Sequence, residues 1–494
     1  MDEKTEPKHS TGARHMLDGT IRVFLSESLL IPTGLITTIF LTRILGPESY
    51  GIYGLAVGIV LWIEYSICNM FGGTSIKFIG ETDDWEPIAT TVLKLYLIVS
   101  AAAVIALWLF SGKIAAILNA PKLGSYLSLL AIDIPIFVLS TAHRHILVGL
   151  GKFKERALTS AARWLSRLVL IVILVGIGLS VEGAILGIIA SSLLELIIVR
   201  SYIRPPIFKH SDFDTRKLWG FVAPLFLFSV SMRLYDKLDL LLLKGMGGTA
   251  EQAGIYVAAQ NLSIVPGLFA LSFSPLLLAT ISRTISSGNK ASVAHLVETS
   301  YRIVVLFLPF AAMTAGCSNE VVKLILGVEY EGSAPLLSLL IFGSIATIFI
   351  SVNYAVLTAS GKPGLPFLLA GPIVPLSVLA YFFVIPKFGM IGASFVYTSF
   401  AWLGAVVTIT AVYYLWQTYP PGKTILWSVL ISVAAYIAAQ MWSTPGLLVI
   451  VKVCLITLII LVCYFITNAV KISEIRLLGS GLISRDVITK NTET

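Results

Sequence analysis

The stretch FSVSMRLYDKLD, residues 228–239, sets bases and acids inside an otherwise apolar run. Offsets of three and four put Ser229, Arg233 and Asp236 on one helical stripe, with Lys237 beside them. Ionisable groups are expensive inside a membrane-spanning segment, so each is a functional expectation by default. A guanidinium facing a cavity can grip a phosphate through two parallel N–H bonds. Arg233, Asp236 and Lys237 are therefore expected substrate contacts. The plain structural alternative is an Arg233–Asp236 pair that neutralises itself within the helix.

A second stripe holds Asp133, Ser140 and Arg144 at spacings of seven and four, with His143 and His145 flanking the arginine. Arg144 either meets substrate or snorkels to the membrane interface. The histidines either relay protons or are satisfied locally. Carboxylates suit different work, because one in apolar surroundings can load and release a proton near neutral pH. Glu64 lies in the middle of an apolar run and Glu27 lies close to Arg22. Glu64, Glu27 and Asp133 are the expected ion-coupling groups. For Glu27 a simple pairing with Arg22 is the alternative, and Glu195 is a weaker version of the same idea.

Arg22, Arg163 and Arg167 fall at expected helix ends. They read as positive-inside anchors, or as a basic mouth attracting a phosphate headgroup. Gln260, Asn261 and Asn353 can bond hydroxyl groups of a cargo or bridge helices. Arg144, Arg22, Gln260 and Asn353 complete the expected substrate-binding set. No paired carboxylates at metal spacing, no nucleophile constellation and no Walker loop occur in the sequence. Cys68, Cys317, Cys454 and Cys463 stand singly in apolar runs and read as small buried hydrophobes. No metal or cofactor is expected, and the chain is not expected to be an enzyme.

Such side chains need long apolar elements to hold them. Of 494 residues, 56% are hydrophobic and 13% charged, against about 25% charged in soluble domains. A helix crosses a bilayer with about 20 apolar residues, and the runs here are continuous, which excludes a barrel. The chain reads as an all-α polytopic membrane protein. Fourteen spans are expected near 22–42, 51–71, 91–110, 125–149, 158–180, 183–203, 217–243, 253–281, 301–317, 334–358, 364–385, 390–416, 424–442 and 446–469. The first is read as retained rather than as a signal peptide. The net charge of +8 is explained by basic loops on one side of the membrane, not by nucleic acid. Lys and Arg concentrate in the tails and even-numbered connections, such as Lys152, Lys154, Arg200 and Arg204. Both termini are therefore expected in the cytoplasm.

The chain also repeats itself. LTRILGPESYGIYGLA (41–56) is echoed by LLKGMGGTAEQAGIYVAA (242–259), with Gly51-Ile52-Tyr53 matching Gly254-Ile255-Tyr256 at an offset of 203. YLSLLAI (126–132) matches LLSLLIF (336–342), and LVGLGKF (147–153) matches LTASGKP (357–363), both at 210. Gly183-Ala184 matches Gly392-Ala393 at 209. Two parallel six-span lobes with two appended helices follow, related by an axis along the membrane normal. The expected layout is a tail (1–20), an N-lobe (21–203), a loop (204–216), a C-lobe (217–416), spans 13–14 (417–470) and a tail (471–494). Gly51 and Gly254 are expected to let each following helix start close to its hairpin partner.

The segment Thr42-Arg43-Ile44-Leu45-Gly46-Pro47-Glu48-Ser49-Tyr50-Gly51-Ile52-Tyr53 and its second-lobe counterpart, with Asp236 and Asp239 before Gly254-Ile255-Tyr256, resemble a known family. Over roughly residues 20–470 the chain is similar to the polysaccharide transporters and O-antigen flippases of the multidrug/oligosaccharidyl-lipid/polysaccharide exporter superfamily. Thr42 stands where alanine is usual. The resemblance implies translocation of a polyprenyl-pyrophosphate-linked oligosaccharide, such as an O-antigen, capsule or exopolysaccharide repeat unit. The expected move is from the cytoplasmic to the outer leaflet of the cytoplasmic membrane, by alternating access driven by a proton or sodium gradient. A polysaccharide polymerase or glycosyltransferases are expected partners. The alternatives are a lipid II flippase or cation-coupled drug exporter of the same superfamily, and a membrane polysaccharide polymerase or ligase.

Overall fold

The computed structural model describes residues 22–23, 25–82, 84–206, 237–267, 274, 277–278, 280–285, 290–362 and 365–467. Among these residues every regular element is helical, and nine helices are long and apolar enough to cross a membrane. Their outward faces are large and greasy, with Trp108, Leu109, Phe383, Tyr414 and Ile466 exposed. The protein is a multi-pass membrane protein.

Three helical stretches are too long for one crossing: Leu25–Gly80 with 56 residues, Phe153–Tyr202 with 50 and Ile373–Trp416 with 44. Each is broken by a glycine with positive φ, at Gly46 (70°), Gly178 (98°) and Gly389 (54°). The chain folds back at each break. The Tyr50 hydroxyl bonds Thr38, twelve residues and about 18 Å away along a straight helix. A methyl on Gly183 would stand 2.8 Å from the Leu174 carbonyl oxygen, and one on Gly392 would stand 3.0 Å from that of Val384. These three stretches are hairpins of two crossings each. Pro47 follows the first break, where its fixed φ and missing N–H suit the start of the returning helix. The eleventh span was expected from 364; the structure instead forms a short Leu365–Ala370 helix and starts the long one at Ile373. Pro372 sits between them, where a helix starts more easily than it continues. The expected spans 217–243 and 253–281 lie partly outside the described residues, which show helix at 237–245 and Ala250–Ser263.

The described residues form two compact units, one within Met1–Asn261 and Val378–Ala393, the other within Leu262–Ser377 and Ser394–Thr494. In the first, Tyr50, Phe71, Tyr96 and Phe137 are fully buried. In the second, the last two crossings, Gly422–Met441 and Leu448–Ile466, pack Ile431, Ala435, Ala439, Ile456 and Ile460 against Met313 and Cys317. Lys452, fully buried, ion-pairs with Glu320, whose other oxygen accepts the Thr444 backbone N–H at 2.8 Å.

The sequence repeat recurs in the backbone. Positive φ falls at Asn119 and Gly327, 208 residues apart, and at Gly151 and Gly361, 210 apart. Ser180 (φ 49°, ψ −131°) and Gly389 (φ 54°, ψ −133°) share one conformation at an offset of 209. The same turns are thus made twice, once with a serine where glycine is the easier residue.

Candidate functional site

Helix Asp133–Gly149 carries Asp133, Phe137, Thr141 and Arg144 on one face, and helix Phe153–Leu174 carries Arg156, Ser160, Arg163, Trp164 and Arg167 on one of its own. Helix Ser180–Tyr202 adds Ser192 and Glu195. The first hairpin adds Glu27 and Glu64. Together these build a buried ionic cluster inside the first unit.

Glu195 is its centre and is fully buried. Its Oε1 lies 3.3 Å from Arg144 Nε and its Oε2 lies 3.5 Å from Arg163 Nε. Neither oxygen and neither Nε has a hydrogen bond of good geometry. The Arg163 guanidinium lies 4.1 Å from the centre of the Phe137 ring and 5.2 Å from that of Trp164, both cation–π contacts. Arg144 donates to Thr141 Oγ1 at 2.6 Å. Glu27 closes one end. Its Oε1 accepts from Arg156 Nη2 at 2.8 Å and from Ser160 Oγ at 3.0 Å, with Arg144 Nη1 at 3.8 Å. Its Oε2 faces Trp164 Nε1 at 3.4 Å. At the other end Glu64 and Asp133 face one another, each 1% exposed, with Arg163 and Arg167 as the nearby cations. One oxygen on each carboxylate has no hydrogen-bond partner.

Several expectations change. Arg163 is no anchor at a helix end: it is 2% exposed, because Phe137 and Glu195 give its charge a place indoors. Arg144 does not snorkel, since Glu195, Glu27 and Thr141 hold it. Arg156 reads in the sequence as one more basic residue near a loop; here it is the strongest partner of Glu27. The missed signal was the spacing of Arg156, Ser160, Arg163, Trp164 and Arg167, one stripe of a helix. His143 Nδ1 bonds the Leu139 carbonyl at 2.7 Å, and His145 Nδ1 meets the Tyr96 hydroxyl at 3.2 Å.

Other expected site residues lie apart from the cluster. Arg22 is exposed near the start of the described chain. Lys237 is half-buried, its stem near Gly58. Gln260 donates to Asp239 Oδ2 at 2.6 Å, as does the Tyr256 hydroxyl at 2.8 Å. In the second unit Asn353, fully buried, accepts from the Tyr301 hydroxyl at 2.6 Å and donates to Thr408 Oγ1 at 2.9 Å. Its amide bridges three helices. Arg233 and Asp236 lie outside the described residues.

The paired Gly-Ile-Tyr motifs meet each other. A methyl on Gly51 would stand 2.0 Å from the Ala250 carbonyl oxygen, and one on Gly254 would stand 1.9 Å from that of Pro47. The two contacts are reciprocal at the repeat offset of 203. Asn261 Nδ2 donates to the Tyr50 hydroxyl at 2.8 Å, and Val257 fills the space above Gly54. The glycines therefore do not merely bring a helix close to its own hairpin partner. They let the two copies of the turn touch backbone to backbone.

Residues 40–335 match the family described as polysaccharide biosynthesis protein. The chain is 23% identical over 402 residues to the probable flippase AglR of Haloferax volcanii, covering 79% of this chain and 82% of that protein. A shorter match, 21% identical over 189 residues, covers 38% of this chain and 34% of an uncharacterised membrane protein of Methanocaldococcus jannaschii. The fold is similar to that of the lipid II flippase MurJ in an inward closed conformation, with a TM-score of 0.74, 15% identity, and coverage of 91% of this chain and 98% of that one. A match over more than half of the chain fixes its membership: this protein belongs to the family of polysaccharide biosynthesis proteins.

Proposed function

We propose that the chain is a flippase that moves a polyprenyl-pyrophosphate-linked oligosaccharide across the cytoplasmic membrane. The observation that carries this reading is the arginine cluster, buried Arg144 and Arg163 with part-buried Arg156, within a bundle of apolar crossings. Such a cargo has a greasy tail, a sugar and an anion. The anion is the part that an apolar bundle must match with cations, and guanidinium forks suit phosphate oxygens. Arg144, Arg156, Arg163 and Arg167 face Glu27, Glu64, Asp133 and Glu195, four guanidiniums to four carboxylates, and Arg144, Arg156 and Arg163 gather around Glu27 and Glu195. The likeness to AglR, a probable flippase, and to the lipid II flippase MurJ supports the same class of activity. No bond is made or broken in such a task, so the chain works as a transporter and not as an enzyme.

The facing Glu64 and Asp133 supply the chemistry for ion coupling: a buried carboxylate pair takes up a proton or a sodium ion between its members. Arg163 faces Glu195 and lies near Glu64 and Asp133, so cargo and ion would share one cation. Alternating access would then exchange the cluster between leaflets, with both tails in the cytoplasm. Depleting the protein from its native cell tests the reading. Lipid-linked oligosaccharide should accumulate on the cytoplasmic leaflet. An unchanged lipid pool would overturn the proposal, and unpolymerised lipid on the outer leaflet would point to a polymerase.

A further inference from the structure

Glu27 is odd among the cluster's acids. Its side chain is 35% exposed, whereas those of Arg144 and Arg156 are 8% and 15% exposed. Among the described residues, every donor or cation facing it comes from two helices, Asp133–Gly149 and Phe153–Leu174. Arg156 Nη2, Ser160 Oγ and Trp164 Nε1 converge on one carboxylate at 2.8, 3.0 and 3.4 Å, and Arg144 Nη1 stands 3.8 Å away as an ion-pair partner. Arg156 also donates to Ser160, which fixes the fork toward the same point. The acid alone comes from elsewhere, a helical turn at 25–28 ahead of the long first helix.

A set of N–H and O–H donors around one anion does not depend on that anion being a carboxylate. Two guanidiniums, a hydroxyl and an indole N–H are also what a phosphate asks for. A diphosphate brings more charge and more acceptor oxygens than one carboxylate. Deeper in the cluster, Arg144 Nε and Arg163 Nε have no well-made hydrogen bond, and both residues are more than nine-tenths buried. The site therefore holds donor capacity that its own carboxylates leave unused.

We propose that Glu27 is a placeholder in a phosphate site, and that an incoming diphosphate takes over its donors and releases the start of the first helix. The choice of a diphosphate rests on the flippase reading; the exchange of one anion for another does not. No covalent step is involved. The unloaded protein is closed at this point by its own carboxylate, and loading unties the turn at 25–28 from the two arginine-bearing helices. Glu27 thereby serves cargo exchange, and the ion-coupling role rests with Glu64 and Asp133.

The test uses the full chain, purified in lipid nanodiscs, with inorganic pyrophosphate and farnesyl diphosphate as probes. Glu27→Gln keeps one carbonyl oxygen, which can still accept from Arg156 and Ser160, turns its amide nitrogen toward Trp164, and removes the competing charge. It should bind pyrophosphate at least tenfold more tightly than the native chain, and Arg156→Gln should abolish binding. Equal or weaker binding by Glu27→Gln would overturn the proposal. Should that variant fail to insert, a spin label at Leu25→Cys, a position 60% exposed, reads the release with Glu27 in place. The label should gain mobility on saturation with either probe; saturation without a gain would overturn the proposal. A gain with farnesyl diphosphate alone would support a site that takes its phosphate from a lipid, and a gain with both would support one that takes a free anion as well. Lipid accumulation on depletion, with no Glu27→Gln effect, would remove the placeholder and keep the flippase. Tighter binding without lipid accumulation would keep the placeholder and remove the flippase.

Discussion

Arg163 shows how one side chain can tie a site together. It stacks on Phe137, faces Glu195 and lies near Glu64 and Asp133. Charges this deeply buried persist only when they are paired, and removing one partner of a buried pair costs about 3–5 kcal/mol. Glu195→Gln leaves Arg144 and Arg163 facing each other without their shared counterion. That variant should lose several degrees of thermal stability in detergent. The double variant with Arg163→Met should recover part of the loss, because the orphaned charge is gone. Additive losses in a thermal-shift cycle would show that the two residues do not act as a pair. Glu64→Gln addresses function instead: it removes one ionisable partner from the facing carboxylates and keeps the shape. Transport should continue with reduced dependence on the proton or sodium gradient. An unaltered ion dependence, measured in proteoliposomes, would take Glu64 out of the coupling site.

At the scale of elements, the hairpins are set by single glycines and by what they let approach. Gly51 and Gly254 sit where a methyl would run into backbone oxygens, which cannot swing aside as a side chain can. Gly51→Ala must push the two turns apart by more than an ångström and should cost about 1–3 kcal/mol or more. Gly112→Ala is the matched control, since nothing lies within 4 Å of its methyl and alanine favours a helix. Thermal denaturation of the two variants should separate clearly, and equal melting would refute the interlocking of the turns. Ser180 makes the same turn as Gly389 in spite of its side chain. The backbone there follows the repeat and not the local residue preference.

At the scale of the whole molecule, the final two crossings are built into the second unit. Gly316 meets the Tyr436 backbone, where a methyl would stand 2.6 Å from its carbonyl oxygen, and a small-residue contact of this kind brings helices close in a membrane. Buried Lys452 is matched by Glu320, outside the last helical pair. Truncation after Gln417 would therefore strand Glu320 and bare the Met313–Cys317 surface. We expect such a chain to insert poorly and to lose transport. Transport at the native rate by a stably inserted truncation, measured by complementation and membrane abundance, would show that the pair is dispensable.

Composition and run length alone determined that this is a helical membrane protein, because about 20 continuous apolar residues have few other uses. The repeat was legible too, since Gly51, Gly151 and Gly183 lie at or beside turns and recur with their partners near 200 residues on. The candidate site was legible only in part. Buried ionisable residues announce themselves one at a time, so Glu27, Glu64, Asp133 and Arg144 stood out along the chain. Their partners did not, because Arg156 and Arg163 resemble ordinary basic residues near a loop until Glu27 and Glu195 arrive from other helices. The tertiary structure alone decided which charges meet, and it turned Gly51 and Gly254 from separate turn residues into one shared contact. Contacts between residues tens to hundreds of positions apart leave no periodicity in the sequence, and they became visible only once the helices were packed.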